Sequence, residues 1–154
     1  MTRLLAALLT IAAVLWMAAI VFVPLALPLT ADGVAAAVYA AAGLVCHQRP
    51  ERSFHLDATQ LAVCARCTGL YLSGAGGAVA GWLGHARVPG GVRPWLIASA
   101  FPTAITLAVE WAGLVNPGNV VRAAAALPLG ALAGWLFVRM LRAESRQTTC
   151  AMIS

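Results

Sequence analysis

Long apolar runs separated by short polar stretches dominate this chain. Runs at about residues 4–27, 63–83, 95–115 and 122–141 each reach the roughly 20 residues that a membrane-spanning helix needs. A further run, 33–45, is too short to span comfortably, and this length is typical of interfacial or re-entrant segments. The pattern predicts an all-α integral membrane helix bundle of four spans plus a short interfacial helix. Five spans is the alternative.

Two polar stretches complete the chain, a segment at 46–62 and a tail at 142–154. We treat residues 1–154 as a single membrane domain, because a chain of this length has no room for two. The first apolar run follows Arg3, as a secretory signal would. Its apolar core exceeds the roughly 7–15 residues that such signals use, so we expect a retained anchor.

Small residues recur at four-residue spacing in two of the predicted spans, which places them along one helical stripe. Such stripes let another backbone approach closely in lipid. We expect packing faces without chemistry, through which a second copy of the chain or another membrane protein would be the partner. They consist of Gly69, Ser73, Gly77 and Gly81 in one span and Gly130 and Gly134 in another.

Composition supports a membrane location. Of the 154 residues, 62% are hydrophobic and 10% are charged, whereas soluble domains carry about 25% charged residues. The net charge of +5 comes from arginine, since the chain has no lysine. These arginines lie mostly between apolar runs, where they set topology or meet lipid headgroups. The lipid bilayer is therefore the expected partner, and nucleic acid is not.

Arginine placement also bears on orientation. With a cytoplasmic N-terminus, the four-span arrangement places six arginines inside and four outside, while five spans give a tie. The positive-inside rule thus favours four spans and places the segment 46–62 outside the cytoplasm.

One inference holds for either number of spans. Consecutive antiparallel helices alternate in direction, so the start of run 63–83, the end of run 95–115 and the start of run 122–141 share one membrane face. Five polar residues are expected to gather there: Cys64, Cys67, Glu110, Asn119 and Arg122.

Reactive side chains concentrate in the polar segment and at the start of the run that follows it. Cys64 and Cys67 form a CxxC, and Cys46 and His47 precede them by a loop. Two ligands, a loop and a CxxC resemble the layout of small zinc sites, in which thiolates and a neutral imidazole bind Zn²⁺ tetrahedrally. We predict a metal site of Cys46, His47, Cys64 and Cys67, in which His55 could replace His47.

A redox interpretation uses the same thiols. A helix N-terminus and the neighbouring Arg66 would lower the pKa of Cys64 and make it a nucleophile, with Cys46 as the resolving thiol. A quinone-type molecule would then accept the electrons. The candidate catalytic residues are Cys64, Cys67 and Glu110. A structural role for the cysteines is the third alternative.

Glu110 is the other exceptional residue, because a carboxylate inside an apolar span is costly and by default functional. It could pair with Arg122 or Arg66, complete a metal shell or relay protons, and the competing explanation is that it reaches the interface beside Trp111. Cys150, in the tail, and His85, in a Gly/Pro turn, are expected to be incidental.

The stretches "CHQRPERSF" and "VCARCTGLYLSG" resemble the signature of a family of small bacterial and archaeal membrane proteins known only as a domain of unknown function. A proline-bearing span that ends in Glu and is followed by Asn-x-x-Arg resembles a later family feature. Family members often carry Asp where Thr106 stands here. The resemblance implies a multi-pass protein of the bacterial or archaeal cell (inner) membrane. Candidate contacts for a substrate or cofactor are Gln48, Arg52, Ser53, Arg66, Asn119 and Arg122.

Three functions remain open on this basis. The first is a membrane protein that binds a metal, expected to be zinc, at one membrane face. The second is a membrane thiol-disulfide oxidoreductase that uses the CxxC with a quinone, and the third is a non-catalytic membrane scaffold. Whether the protein is an enzyme is therefore left open.

Overall fold

Five α-helices and one β-hairpin make up the part of the chain that the computed structural model describes, residues 2–26, 32–56, 58–83 and 91–151. The side chains of residue 32 and of residues 144–151 are not part of that description. In chain order the elements are α1 (Thr2–Ala26), α2 (Asp32–Gly43), β1 (Ser53–Leu56), β2 (Thr59–Cys64), α3 (Ala65–Leu83), α4 (Val92–Trp111) and α5 (Asn119–Ala151).

The predicted fold class, an all-α membrane helix bundle, is confirmed. Three helices are long and apolar enough to cross a membrane: α1, α4 and the part of α5 from Asn119 to Ala143. Large apolar side chains such as Phe22, which is 64% exposed, and Phe101, which is 62% exposed, cover their outer faces. Apolar surface of this extent on adjacent helices is what a bilayer covers. The number of spans stays a prediction.

α3, the remaining predicted span, is long enough to cross a membrane but is less apolar than these three helices. It has 19 residues, and Arg66 and several glycines lower its apolarity. It packs mainly against α5 along the small-residue stripes. A Cβ atom added to Gly77 would lie 2.0 Å from the carbonyl oxygen of Ala131, and one added to Gly134 would lie 2.1 Å from that of Gly74. The two stripes therefore face each other within one chain.

Side-chain hydrogen bonds fix α1 and α4 to this pair. The indole of Trp82, in α3, donates to the hydroxyl of Thr10, in α1, at 2.9 Å. The hydroxyl of Thr103, in α4, donates to the carbonyl of Ala125, in α5, at 2.8 Å. At the far end of α3, the Arg142 guanidinium donates to the Gly81 carbonyl at 2.7 Å and stacks over the Trp82 ring. The result is a bundle with α5 in contact with α1, α3 and α4.

The polar segment forms the two-stranded antiparallel β-hairpin, which the sequence did not predict. Ser53 pairs with Cys64 and His55 with Gln60, with an irregularity at Phe54 between them. Three consecutive residues of β2, Leu61 to Val63, are buried in a cluster with Ile20 of α1 and Ala42 of α2. The strand is covered on both faces, so its sequence is a short apolar run without alternation.

The bounds of the helices differ from the sequence prediction because of this strand and because of the tail. The predicted span 63–83 began at residue 63, whereas β2 continues to Cys64 and α3 begins at Ala65. α4 begins and ends a few residues before the predicted 95–115. α5 starts before residue 122 and continues to Ala151, through most of the predicted tail, whose Arg, Ala, Glu and Gln residues favour helix.

Candidate functional site

Glu110 accepts ion pairs from three arginines. It is the last-but-one residue of α4, and its side chain is only 6% exposed. The guanidinium of Arg122 lies 2.9 Å from Oε1 and that of Arg52 lies 3.1 Å from the same oxygen. Arg66 lies 3.3 Å from Oε2. The pairing of Glu110 with Arg122 or Arg66, which the sequence suggested, is present with both, and Arg52 is an additional partner.

These arginines come from three separate parts of the chain. Arg52 ends a single 3₁₀ turn before β1, Arg66 lies in the first turn of α3 and Arg122 in the first turn of α5. One carboxylate therefore connects the 3₁₀ turn before β1 to α3, α4 and α5. Both oxygens of the Glu110 carboxylate are occupied by guanidinium groups, and its role as a candidate catalytic residue stays a prediction.

The loop between α4 and α5 places Arg122. Its guanidinium donates to Oδ1 of Asn116 at 2.6 Å and to Oδ1 of Asn119 at 2.9 Å. The amide of Asn119 in turn donates to the Ser53 carbonyl at 2.8 Å. Asn119 thus acts through Arg122 and the hairpin and fixes their relative position. Asn116, which the sequence did not single out, does the same from the loop.

Three thiols meet beside this arginine cluster. Cys46 follows α2, Cys64 ends β2 and Cys67 lies in the first turn of α3, and all three are free thiols. The backbone N–H of Cys64 donates to Sγ of Cys46 at 3.2 Å. The Cys46 thiol is also within hydrogen-bonding range of the thiols of Cys64 and Cys67. The sequence predicted this grouping of Cys46 with the CxxC.

The pKa values of Cys46 and Cys64 are shifted in opposite directions. Burial works against ionisation of Cys46, but hydrogen bonds from the backbone N–H groups of Cys64 and Gln48 outweigh it and lower the pKa of Cys46. Burial, together with the nearby Cys46 side chain, raises the pKa of Cys64. The prediction that the helix N-terminus and Arg66 lower the pKa of Cys64 is therefore wrong, because desolvation and the neighbouring thiol dominate. Cys46 therefore ionises to a thiolate more readily than Cys64.

His47 and His55, the two histidines that the structure describes, are both exposed. His47 lies at the rim beside Cys46, and His55 lies on β1. Among the residues that the structure describes, no group of three or more His, Cys, Asp or Glu side chains has an arrangement that could hold a metal ion. The three thiols are close together without forming a complete ligand set.

A cavity of about 480 Å³ opens over the thiols and the arginines. Its wall combines the thiols of Cys46, Cys64 and Cys67 with cationic and apolar side chains. These include Arg49, Arg52, Arg66, Arg122, His47, Leu107 and Trp111. The convergence expected from helix direction alone is therefore present, because ends of α3, α4 and α5 line one cavity.

Two predicted contact residues, Gln48 and Ser53, make hydrogen bonds that hold the polar segment together. The Gln48 amide donates to the carbonyls of Tyr39 and Ala62 at 2.7 and 2.8 Å. Its backbone is left-handed, with a φ of 49°, which is uncommon for a residue other than glycine. The Ser53 hydroxyl, almost fully buried, donates to the Arg49 carbonyl at 2.8 Å. Both residues position the loop that carries Cys46 and Arg52.

Gln60 is a further residue of this network that sequence reasoning missed. Its amide donates to the Gln48 carbonyl at 2.7 Å and to the Ser53 hydroxyl at 3.2 Å. The Tyr39 hydroxyl donates to the backbone carbonyl of Gln60. The sequence did contain a sign of this role: Gln60 is an amide residue next to the apolar residues Leu61 to Val63. Buried amide groups are almost always hydrogen-bonded.

Two side chains that the sequence considered incidental lie outside the described part of the chain. His85 falls in the undescribed range 84–90, and the side chain of Cys150 is among those not described.

Thr106 lies beside the arginine cluster. Its hydroxyl is 3.4 Å from the Arg66 guanidinium. A family aspartate at this position would face Arg66 directly.

Comparison with known proteins agrees with this picture of a membrane protein. A family model described as "Predicted membrane protein (DUF2085)" matches residues 46–136. An uncharacterised protein of Methanocaldococcus jannaschii is 53% identical over 34 residues, which cover 22% of each chain. An uncharacterised protein of Methanothermobacter thermautotrophicus is 29% identical over 86 residues, which cover 56% of this chain and 78% of the relative.

The chain therefore spans less than a quarter of the first of these relatives. No solved structure matches the chain significantly. The matched range 46–136 contains the three grouped thiols, the three arginines and Glu110. The chain belongs to the DUF2085 family of predicted membrane proteins.

Proposed function

We propose that Cys46, Cys64 and Cys67 form a redox-active thiol centre at one face of the membrane. The observation that carries this proposal is the position of Cys46. Its sulfur accepts the backbone N–H of Cys64 and lies within hydrogen-bonding range of two further thiols. A stabilised thiolate beside protonated thiols is the arrangement that thiol-disulfide chemistry uses.

The chemistry requires a two-electron acceptor, for which we propose a quinone dissolved in the bilayer. Cys46 and either Cys64 or Cys67 lose two electrons and two protons and form one S–S bond. The quinone gains the two electrons and two protons and becomes a quinol. The apolar side chains of Leu107 and Trp111 on the cavity wall would let such a ring approach the thiols.

The test is oxidation of the purified protein in nanodiscs by a short-chain ubiquinone analogue. We expect intact-mass spectrometry to show a loss of two hydrogens, non-reducing peptide mapping to place the disulfide at Cys46, and dithiothreitol to reverse it. Cys46→Ser removes the reaction, whereas Cys150→Ser, a control at the cysteine that is not part of the proposed centre, retains it. Absence of oxidation, or equal oxidation in Cys46→Ser, would overturn the proposal.

Metal binding is the second candidate, and a different observation favours it. Three sulfurs converge and one already accepts a backbone N–H, a contact that stabilises thiolates, including metal-bound ones. His47, on the same cavity wall, is the available fourth ligand after a side-chain rotation. Zinc would then be held as Cys3His.

Elemental analysis separates the two candidates. Zinc binding predicts about one ion per chain in the purified protein, lost in Cys67→Ser and weakened in His47→Ala, with His55→Ala as the exposed matched control. Metal-free protein that undergoes the reversible oxidation favours the redox centre. If the protein contains no metal and does not oxidise, both candidates fail and the scaffold role is left.

A further inference from the structure

Positive charge around the cavity exceeds the negative charge available from carboxylates. Arg52, Arg66 and Arg122 surround the single carboxylate of Glu110. The guanidinium groups therefore outnumber the carboxylate by two. Arg122 is almost fully buried, with 5% of its side chain exposed. An uncompensated charge is costly at such a site, because the surroundings screen it poorly.

Two of these guanidinium groups also retain an unused hydrogen-bond donor. The Nε atoms of Arg66 and Arg122 are buried, and neither has an acceptor among the described residues. A buried donor without a partner destabilises the folded protein. Both arginines line the 480 Å³ cavity. An oxygen-rich anion bound there would supply the missing charge and would contact the side chains of Arg52 and Arg66, which are partly exposed.

Helix direction favours the same kind of ligand. The first turns of α3 and α5, which carry Arg66 and Arg122, both lie at the cavity. The N-terminal end of a helix has a partial positive charge and free N–H groups, which bind anions. The Cys46 thiolate could neutralise one charge only, so one positive charge would remain.

We propose that this cavity binds a phosphate group, with Arg52, Arg66 and Arg122 as its cationic wall. Guanidinium groups match phosphate oxygens in bidentate geometry. A volume of about 480 Å³ is within the range of small-molecule sites. Leu107 and Trp111 supply an apolar edge next to the arginines. Both an anionic lipid headgroup and a free phosphate carry the required chemistry.

This inference goes beyond the proposed thiol centre and does not rest on it. Phosphate binding requires the arginines, whereas oxidation requires the sulfurs. The measurement is therefore made on wild-type protein and on Cys64→Ser/Cys67→Ser, which cannot form either of the proposed disulfides with Cys46. Phosphate binding in both proteins is expected, so that failure of the redox proposal leaves this one intact and the reverse also holds.

Native mass spectrometry of the detergent-solubilised protein tests lipid binding, with phosphatidylglycerol compared against phosphatidylcholine. Thermal-shift titration with inorganic phosphate, compared with chloride at equal ionic strength, tests the free anion. Loss of one charged hydrogen-bonding partner predicts at least about tenfold weaker binding in Arg52→Gln and in Arg66→Gln. Arg93→Gln is the matched control, because Arg93 is exposed in the first turn of α4, at the other end of that helix from Glu110.

Selective retention of phosphatidylglycerol without a response to phosphate supports a lipid headgroup as the ligand. A response to both supports the phosphate group itself as the feature that is recognised. No binding of either, unchanged affinity in Arg52→Gln and Arg66→Gln, or an equal loss in Arg93→Gln would overturn the proposal.

Discussion

Arg122 donates to Glu110 at 2.9 Å and thereby joins the first turn of α5 to the last turn of α4. Both side chains are at least nine-tenths buried. Arg52 contacts the same carboxylate from the 3₁₀ turn before β1, and Arg66 contacts it from α3. The carboxylate therefore holds together the elements that form the cavity, and its removal would leave three cations facing one another.

Glu110→Gln should destabilise the protein strongly for this reason. Removing one partner from a buried ion pair leaves an uncompensated charge and typically costs about 3–5 kcal/mol. The partial exposure of Arg52 and Arg66 places the expected loss at the lower end, about 3 kcal/mol in the free energy of unfolding. Denaturant titration in detergent, monitored by circular dichroism, measures this difference.

Glu51→Gln is the matched control for that measurement. Glu51 makes one ion pair with Arg49, at 3.9 Å, and both side chains are more than half exposed. Exposed pairs contribute roughly 0–1 kcal/mol, so the control should differ little from wild type. Equal stability of Glu110→Gln and wild type would show that the arginine cluster does not depend on its carboxylate.

Close approach of α3 and α5 leads to a second prediction, at two adjacent glycines. A Cβ at Gly77 would lie 2.0 Å from the backbone oxygen of Ala131, whereas a Cβ at Gly76 would have nothing within 4 Å. Gly77→Ala must push the helices apart, and overpacking of this kind costs about 1–3 kcal/mol. Gly76→Ala should be neutral or stabilising by up to about 1 kcal/mol, because alanine favours helix.

Unfolding of the two variants under identical detergent conditions checks this difference. Each variant is the control for the other, because both substitutions add one methyl group at neighbouring positions of the same helix. Equal losses of stability in Gly76→Ala and Gly77→Ala would mean that the stripe is not the face that contacts α5.

The sequence predicted the features that follow from helix length and direction. Apolar runs gave the helices, and alternation of direction placed Cys64, Glu110 and Arg122 at one membrane face. β2 was not predictable in the same way, because its residues Leu61 to Val63 are buried and show no alternation of apolar and polar positions. The sequence prediction assigned the first two of them to the polar segment and Val63 to the start of a span.

The fine structure of the site depends on contacts that spacing does not encode. Arg52 reaches Glu110 only because a 3₁₀ turn precedes β1. Gln48 positions the loop through a left-handed backbone and two carbonyl partners far apart in sequence. The pKa of Cys64 depends on its burial and on the Cys46 side chain, and these outweigh the helix N-terminus that sequence reasoning emphasised.

Thr106 offers a prediction that uses the family pattern. Its hydroxyl lies 3.4 Å from the Arg66 guanidinium, so Thr106→Asp would place a second carboxylate beside the arginine cluster. We expect a coupling of about 0.5–3 kcal/mol between residues 66 and 106, measured by a double-mutant cycle with Arg66→Gln. The same change should weaken binding of phosphate, because it removes one of the excess positive charges. If the effects of Thr106→Asp and Arg66→Gln on the free energy of unfolding are additive, the two residues do not interact directly.

The order in which the thiols ionise gives the last prediction. Backbone N–H groups of Cys64 and Gln48 lower the pKa of Cys46, while burial raises the pKa of Cys64. A thiol with a lowered pKa becomes a thiolate at lower pH, and the thiolate is the form that iodoacetamide alkylates. The rate of Cys46 alkylation should therefore reach its half-maximum at a lower pH than that of Cys64. Site-resolved mass spectrometry of the reduced protein, with a chelator present to remove bound metal, measures both rates in one sample. If Cys64 reaches its half-maximum first, Cys46 is not the attacking thiol, and the roles of the two residues in the proposed redox centre are exchanged.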